Sequence, residues 1–161
     1  MPLTYPPQNP WFAMLVMASN TLTCPQGWAP IPFDTVYADP GGMCATGANA
    51  NITVPLSGIW MVNGRWQCNN FNSAIRCLMD IGLVPIVASG ASSSFRLADL
   101  STNAGSEPGG WGSIVLPLTA GTILYPASYQ FVGPTTYSGC TIPPTPGTPM
   151  FCWFSVTYQG P

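Results

Sequence analysis

The chain has 161 residues and only eight formal charges: Asp34, Asp39, Asp80, Asp99, Glu107, Arg65, Arg76 and Arg96. A typical soluble domain is about 25% charged, which would give about 40 here. With no lysine and no histidine, the chain lacks the parts for a phosphate loop, a histidine-activated nucleophile or a histidine zinc site, and three arginines cannot form the basic stripe that nucleic acid requires.

Residues 1–10 (MPLTYPPQNP) hold four prolines and no charge. They read as an extended arm, followed by one domain over 11–161. The first strand is expected over 11–19, and a second over 31–37, ended by the turn signal Asp39-Pro40-Gly41-Gly42. A third covers 51–55. Residues 59–68 then alternate: Trp60, Val62, Gly64, Trp66 and Cys68 on one face, Met61, Asn63, Arg65 and Gln67 on the other. That is the period of two of a half-buried strand. Residues 75–81 and 84–88 suggest a hairpin around Gly82, and 113–118 a further strand. In 122–131, Ile123, Tyr125, Tyr129 and Phe131 share a face. In the last strand, 150–158, Met150, Cys152, Phe154, Val156 and Tyr158 share a face, and Phe151 and Trp153 on the other suggest burial on both sides. Segments 90–112 and 133–149 read as low-complexity loops, the second locally polyproline-like.

Nineteen prolines and 17 glycines leave few gaps long enough for a helix. Eight or nine short strands predict an all-β, jelly-roll β-sandwich. The apolar fraction of 47% and the aromatic fraction of 12% exclude disorder. The longest apolar runs, 11–18 and 81–88, fall far short of the roughly 18 residues needed to span a membrane, so no membrane partner is expected. Nor is a secretory signal, because four prolines and no positive charge precede the first apolar run. A net charge of -2 with so few charges favours association, so much of the apolar surface is expected between subunits.

The order Trp28-Ala-Pro-Ile-Pro-Phe-Asp-Thr-Val-Tyr37, then Asn51-Ile-Thr-Val-Pro-Leu-Ser-Gly-Ile-Trp-Met-Val-Asn-Gly64, resembles the tumour necrosis factor-like and complement-globular-head superfamily in the form found in bacteriophage virion proteins. Arg76 to Gly82 resembles that family's Arg-to-Asn-Gly hairpin, with Ile81 where Asn is usual. Residues 113–121 resemble its strand ending in Leu-x-x-Gly-Asp, with Thr122 in place of Asp, and 151–158 its closing aromatic strand. The opening residues are similar to the start of small minor tail proteins of actinobacterial phages. The resemblance implies a ten-strand TNF-like jelly roll assembled as a homotrimer, serving for binding or structure and not as an enzyme. It implies a virion location on tail or capsid, with synthesis in the host cytoplasm. It also implies other virion proteins and a host cell-surface glycan as partners.

Trp60, Trp66, Phe151, Trp153 and Phe154 are candidates for core or trimer interface, because aromatics dominate both. Leu3, Tyr5, Pro6 and Pro7 are candidates for docking the arm on a neighbouring virion chain. Trp111, in what reads as a loop, is the candidate for ligand contact. Cys24, Cys44, Cys68, Cys77, Cys140 and Cys152 allow 15 pairings. Sequence neighbours suggest 24–44, 68–77 and 140–152, against buried thiols as the alternative. No Cys-x-x-Cys occurs, and no cofactor is expected. Asp34 and Asp39 flank one loop and could supply a glycosidase pair, but Asp39 before Pro40-Gly41 suits a turn. No Asp-x-Asp offers a calcium cage. Asn51-Ile52-Thr53 matches the N-glycosylation sequon and reads as the entry to a strand.

Overall fold

The alternation in residues 58–69 sets the architecture, because a strand apolar on one face must lay that face on a second layer. The computed structural model describes residues 11–18, 23–24, 27–69, 75–83, 93–102, 109–130, 135–137 and 152–161. Among these, every regular element is a strand. They are β1 (Phe12–Val16), β2 (Thr23–Cys24), β3 (Gly27–Pro30), β4 (Thr35–Ala38), β5 (Cys44–Ala45), β6 (Asn51–Thr53), β7 (Gly58–Asn69), β8 (Ile75–Gly82), β9 (Ser93–Thr102), β10 (Gly109–Leu118), β11 (Ile123–Gln130), β12 (Thr135–Tyr137) and β13 (Trp153–Gly160).

They form two antiparallel sheets. The first runs β4-β1-β13-β7, with β10 on the other side of β7, β12 at the end of β7, and β2 beside β12. The second runs β5-β6-β11-β8-β9, with β3 also paired to β11. The chain passes repeatedly between the sheets: β6 to β7, β7 to β8, β9 to β10 and β10 to β11 each change layer. This is the jelly-roll connectivity, as the sequence predicts.

The core lies between the inner faces. Trp60, Val62 and Trp66 of β7 are fully buried there, with Phe154 and Val156 of β13, Leu15 of β1, Met79 and Ile81 of β8, and Leu124 of β11. Phe33 stacks on Phe154, with ring centroids 6.5 Å apart. Because Leu124 is the core residue of β11, the face shared by Ile123 and Tyr125 turns away from the sandwich and is half-buried.

Several boundaries differ from the sequence expectation. The segment read as a loop over 90–112 contains β9 and the first residues of β10. The partner of β8 is β9, with Cys77 opposite Leu100 and Ile81 opposite Phe95. The expected partner at 84–88 lies outside the described residues. The expected loop 133–149 contains β12. Serine-rich β9 has only the spacing Phe95-x-Leu97 to mark it, and its strand conformation comes from the ladder that β8 offers.

Where β9 passes the first sheet, two glycines in register, Gly64 and Gly112, make room for it. A Cβ on Gly112 would run into the carbonyl oxygen of Leu97 and lie 2.6 Å from its carbonyl carbon. A Cβ on Gly64 would overlap the end of Met79 and lie 3.1 Å from Leu97 Cδ1. The sheets therefore meet closely at this edge because both positions lack side chains.

Candidate functional site

Pleating sends the residues between the core positions to the outward face of the first sheet. The registers of β1 with β13, β13 with β7 and β7 with β10 align them in rows. One row is Phe12, Thr157, Met61 and Val115. The next is Met14, Ser155, Asn63 and Ser113, and the third is Val16, Trp153, Arg65 and Trp111. Trp111 is 76% exposed and Val115 58%. Met61, Arg65, Trp153 and Thr157 are half-buried. The seven strands of this sheet carry one charged residue, Arg65, while Arg76, Asp80, Arg96 and Asp99 all belong to β8 and β9. Arg65 Nη2 donates to Gln67 Oε1 at 3.4 Å, and no carboxylate among the described residues pairs with it.

The candidates are thus redistributed. Trp60, Trp66 and Phe154 are fully buried inside the sandwich, so they hold the subunit together and do not reach a neighbour. Trp60 Nε1 donates to the Leu56 carbonyl at 3.1 Å, and its ring lies 5.1 Å from that of Tyr158. Among the described residues, Trp66 Nε1 is buried with no hydrogen-bond partner. Trp153 lies on the outward face, and the double burial expected of the closing strand is only partial within one chain. Phe151, Leu3, Tyr5, Pro6 and Pro7 lie outside the described residues. Trp111 is not on a loop: it sits in β10 opposite Arg65. The juxtaposition of Trp111, Arg65 and Trp153 requires the strand order and has no signature in the sequence.

Asp39 has the turn role that its Pro-Gly neighbours suggest. Its Oδ1 accepts the Met43 N–H at 2.7 Å and its Oδ2 the Cys44 N–H at 2.8 Å, while Gly42 takes the positive φ of 66° that the turn needs. Asp34 Oδ1 accepts the Ala18 N–H at 2.7 Å and the Thr35 hydroxyl at 3.0 Å. Both carboxylates of the notional glycosidase pair are therefore engaged in capping backbone and turn groups.

Among the described residues, Cys44 and Cys152 are free thiols, and the structure holds neither in the 24–44 or 140–152 pairing. Cys24 lies in β2 of the first sheet and Cys44 in β5 of the second. Cys152 Sγ accepts the Gln67 N–H at 3.3 Å and donates to the Gln67 carbonyl at 3.2 Å, which extends the β13–β7 ladder. The backbones of Cys68 and Cys77 lie in β7 and β8, in different sheets. Cys140 and the side chains of Cys24, Cys68 and Cys77 lie outside the described residues.

Burial first, then the charge of the Asp39 carboxylate and a hydrogen bond to it, push the Cys44 thiol up from 9.0 to about 12, against a smaller opposing effect of a Met14 backbone hydrogen bond. Three pH units correspond to about a thousandfold less thiolate at pH 8. The greater nucleophilicity of a more basic thiolate offsets part of that scarcity, so Cys44 is expected to react with iodoacetamide at least tenfold more slowly than a thiol at 9.0, read by peptide mass spectrometry over time. The unfolded chain releases this proton first, so stability falls as pH rises from about 9 towards about 12. Cys44→Ala should flatten that part of the profile, and an unchanged slope would assign it to another group.

No family model matches the sequence, and no curated protein matches it. Similar solved structures are found nonetheless. Eiger TNF from S. frugiperda aligns with a TM-score of 0.57 at 13% identity, over 92% of each chain. Murine APRIL at pH 8.0 aligns with a TM-score of 0.56 at 11% identity, over 92% of this chain and 98% of that one. The globular domain of zebrafish complement 1qA protein aligns with a TM-score of 0.55 at 12% identity, over 91% and 95%. At such identities the likeness speaks for the fold, and on that ground the chain is an all-β jelly roll of the kind shared by the TNF and complement globular domains.

Proposed function

We propose that the chain is a bacteriophage virion structural protein, a trimeric, surface-exposed minor tail or tail-tip component that binds and does not catalyse. The observation that supports self-association is the row Phe12, Thr157, Met61 and Val115 on the outward face of the first sheet. It carries no charge and ends on Val115 in open solvent. Exposed surface made mostly of apolar side chains marks interaction sites, and interface centres are depleted of charge. The virion reading is supported by the likeness of the opening residues to phage minor tail proteins. The proline-rich arm, with Leu3, Tyr5, Pro6 and Pro7, is the docking element towards a neighbouring virion chain. A capsid decoration protein or head fibre would use the same fold and arm.

Light scattering of the purified protein should give about three times 17.0 kDa. Val115→Glu places a charge in the row and should shift the protein to monomer at micromolar concentration while its β-sheet circular dichroism is kept. Antibody labelling of whole particles should place the chain on the tail. A wild-type monomer would end the trimer reading, and particles without the chain would end the virion reading.

A further inference from the structure

We infer that the row Trp153, Arg65 and Trp111, with Asn63 and Ser113 beside it, is a binding site for an acidic carbohydrate, a sugar ring bearing a carboxylate. The inference rests on the reading of the chain as a binding module of the virion and names the ligand class that this face would take.

Three observations carry it. First, two tryptophans flank one arginine in a single cross-strand row. Adjacent strands are about 4.8 Å apart, so the two indoles are rooted about 10 Å apart, on the scale of a short saccharide. Indole faces stack on the apolar faces of sugar rings, and Trp111, 76% exposed, already stands in solvent with that surface unused.

Second, Arg65 is the only charge on the seven strands of this sheet. Its guanidinium offers five donors, and among the described residues it makes one long hydrogen bond, to Gln67. Burying it without an acceptor would be strongly unfavourable. A second copy presenting the same sheet brings another arginine and no carboxylate, so it does not complement this row. An anionic ligand does, because a carboxylate accepts two parallel N–H bonds from an arginine.

Third, the neighbouring polar groups suit hydroxyls. Among the described residues, neither Asn63 nor Ser113 commits its side chain to a hydrogen bond within the chain. Together they offer both donors and acceptors. A carboxylate alone would need only the arginine. The amide and hydroxyl beside it, and the indoles on either side, favour a ring that carries hydroxyl groups. The apolar row that ends on Val115 lies two rows away on the same face, so contact between copies there leaves the Trp111 end open.

The test uses the full chain with trigalacturonic acid and, as its neutral counterpart, galactotriose. Binding is followed by tryptophan fluorescence and calorimetry, and assembly by sedimentation of the same samples. The acidic sugar should bind saturably and at least tenfold tighter than the neutral one, and more weakly at high salt. Trp111→Ala and Arg65→Gln should each weaken it at least tenfold with the sedimentation coefficient unchanged. Arg65→Lys, which keeps the charge and loses the fork, should fall between. Four results would overturn the site: no saturable binding of trigalacturonic acid, equal binding of galactotriose, equal competition by glutarate, or conversion of the assembly to monomers by Trp111→Ala. The last would put the row inside the subunit interface and leave the trimer reading standing. A wild-type monomer that still binds the acidic sugar would end the trimer reading and leave the site standing.

Discussion

Gly112→Ala is expected to destabilise the fold by about 3 kcal/mol, the upper end of overpacking penalties. The group that an added Cβ meets is the backbone carbonyl of Leu97, which cannot swing aside as a side chain would. Relief requires β9 to move away from β10, and β9 is held by its ladder to β8 along ten residues of chain. Gly64→Ala, in register with Gly112, is expected to cost less, about 1–2 kcal/mol, because much of its obstruction is the thioether end of Met79, which has other rotamers. Urea unfolding of both variants against wild type checks the order. If Gly112→Ala unfolds at the wild-type midpoint, β9 does not close this edge of the sandwich.

Trp60→Ala is expected to cost about 3–5 kcal/mol, the usual range for removing a fully buried tryptophan. Trp60 has no solvent exposure, packs on Tyr158 and donates to the Leu56 carbonyl. The loss should appear in the unfolding of the subunit itself, since the side chain lies between the sheets and touches no outer surface. Trp66 gives the sharper comparison. It is equally buried, but among the described residues its indole N–H has no partner. Trp60→Phe loses a hydrogen bond and leaves a carbonyl behind, while Trp66→Phe removes a donor with no partner among the described residues. Trp66→Phe should therefore cost less, by about 1 kcal/mol. The opposite order in thermal or urea unfolding would mean that the Trp66 indole N–H is satisfied within the fold.

The alternation Trp60, Val62, Gly64, Trp66 is local, and by itself it specifies β7 and the face that β7 buries. The same holds for Cys152, Phe154 and Val156 in the closing strand, and for the Asp39 turn, where one side chain satisfies two N–H groups within five residues. Periodicity and turn chemistry act over a few bonds, so the sequence carries them openly. Together with the prolines and glycines that leave few gaps for a helix, they suffice for an all-β sandwich.

The tertiary structure alone decided which strands are neighbours. β9 reads as a serine-rich loop until β8 supplies the ladder that makes it a strand. Trp111 reads as a loop residue for the same reason: Pro108-Gly-Gly-Trp-Gly112 has the composition of a turn, and only the pairing with β7 extends it. The choice between Trp60 or Trp66 as core and Trp153 as surface also needed the sandwich, because an aromatic side chain suits either place. The Trp153, Arg65 and Trp111 row draws on residues up to 88 positions apart (153 − 65). No spacing rule links them, because their alignment is fixed by the register of three strands. Register depends on which faces the whole fold must bury.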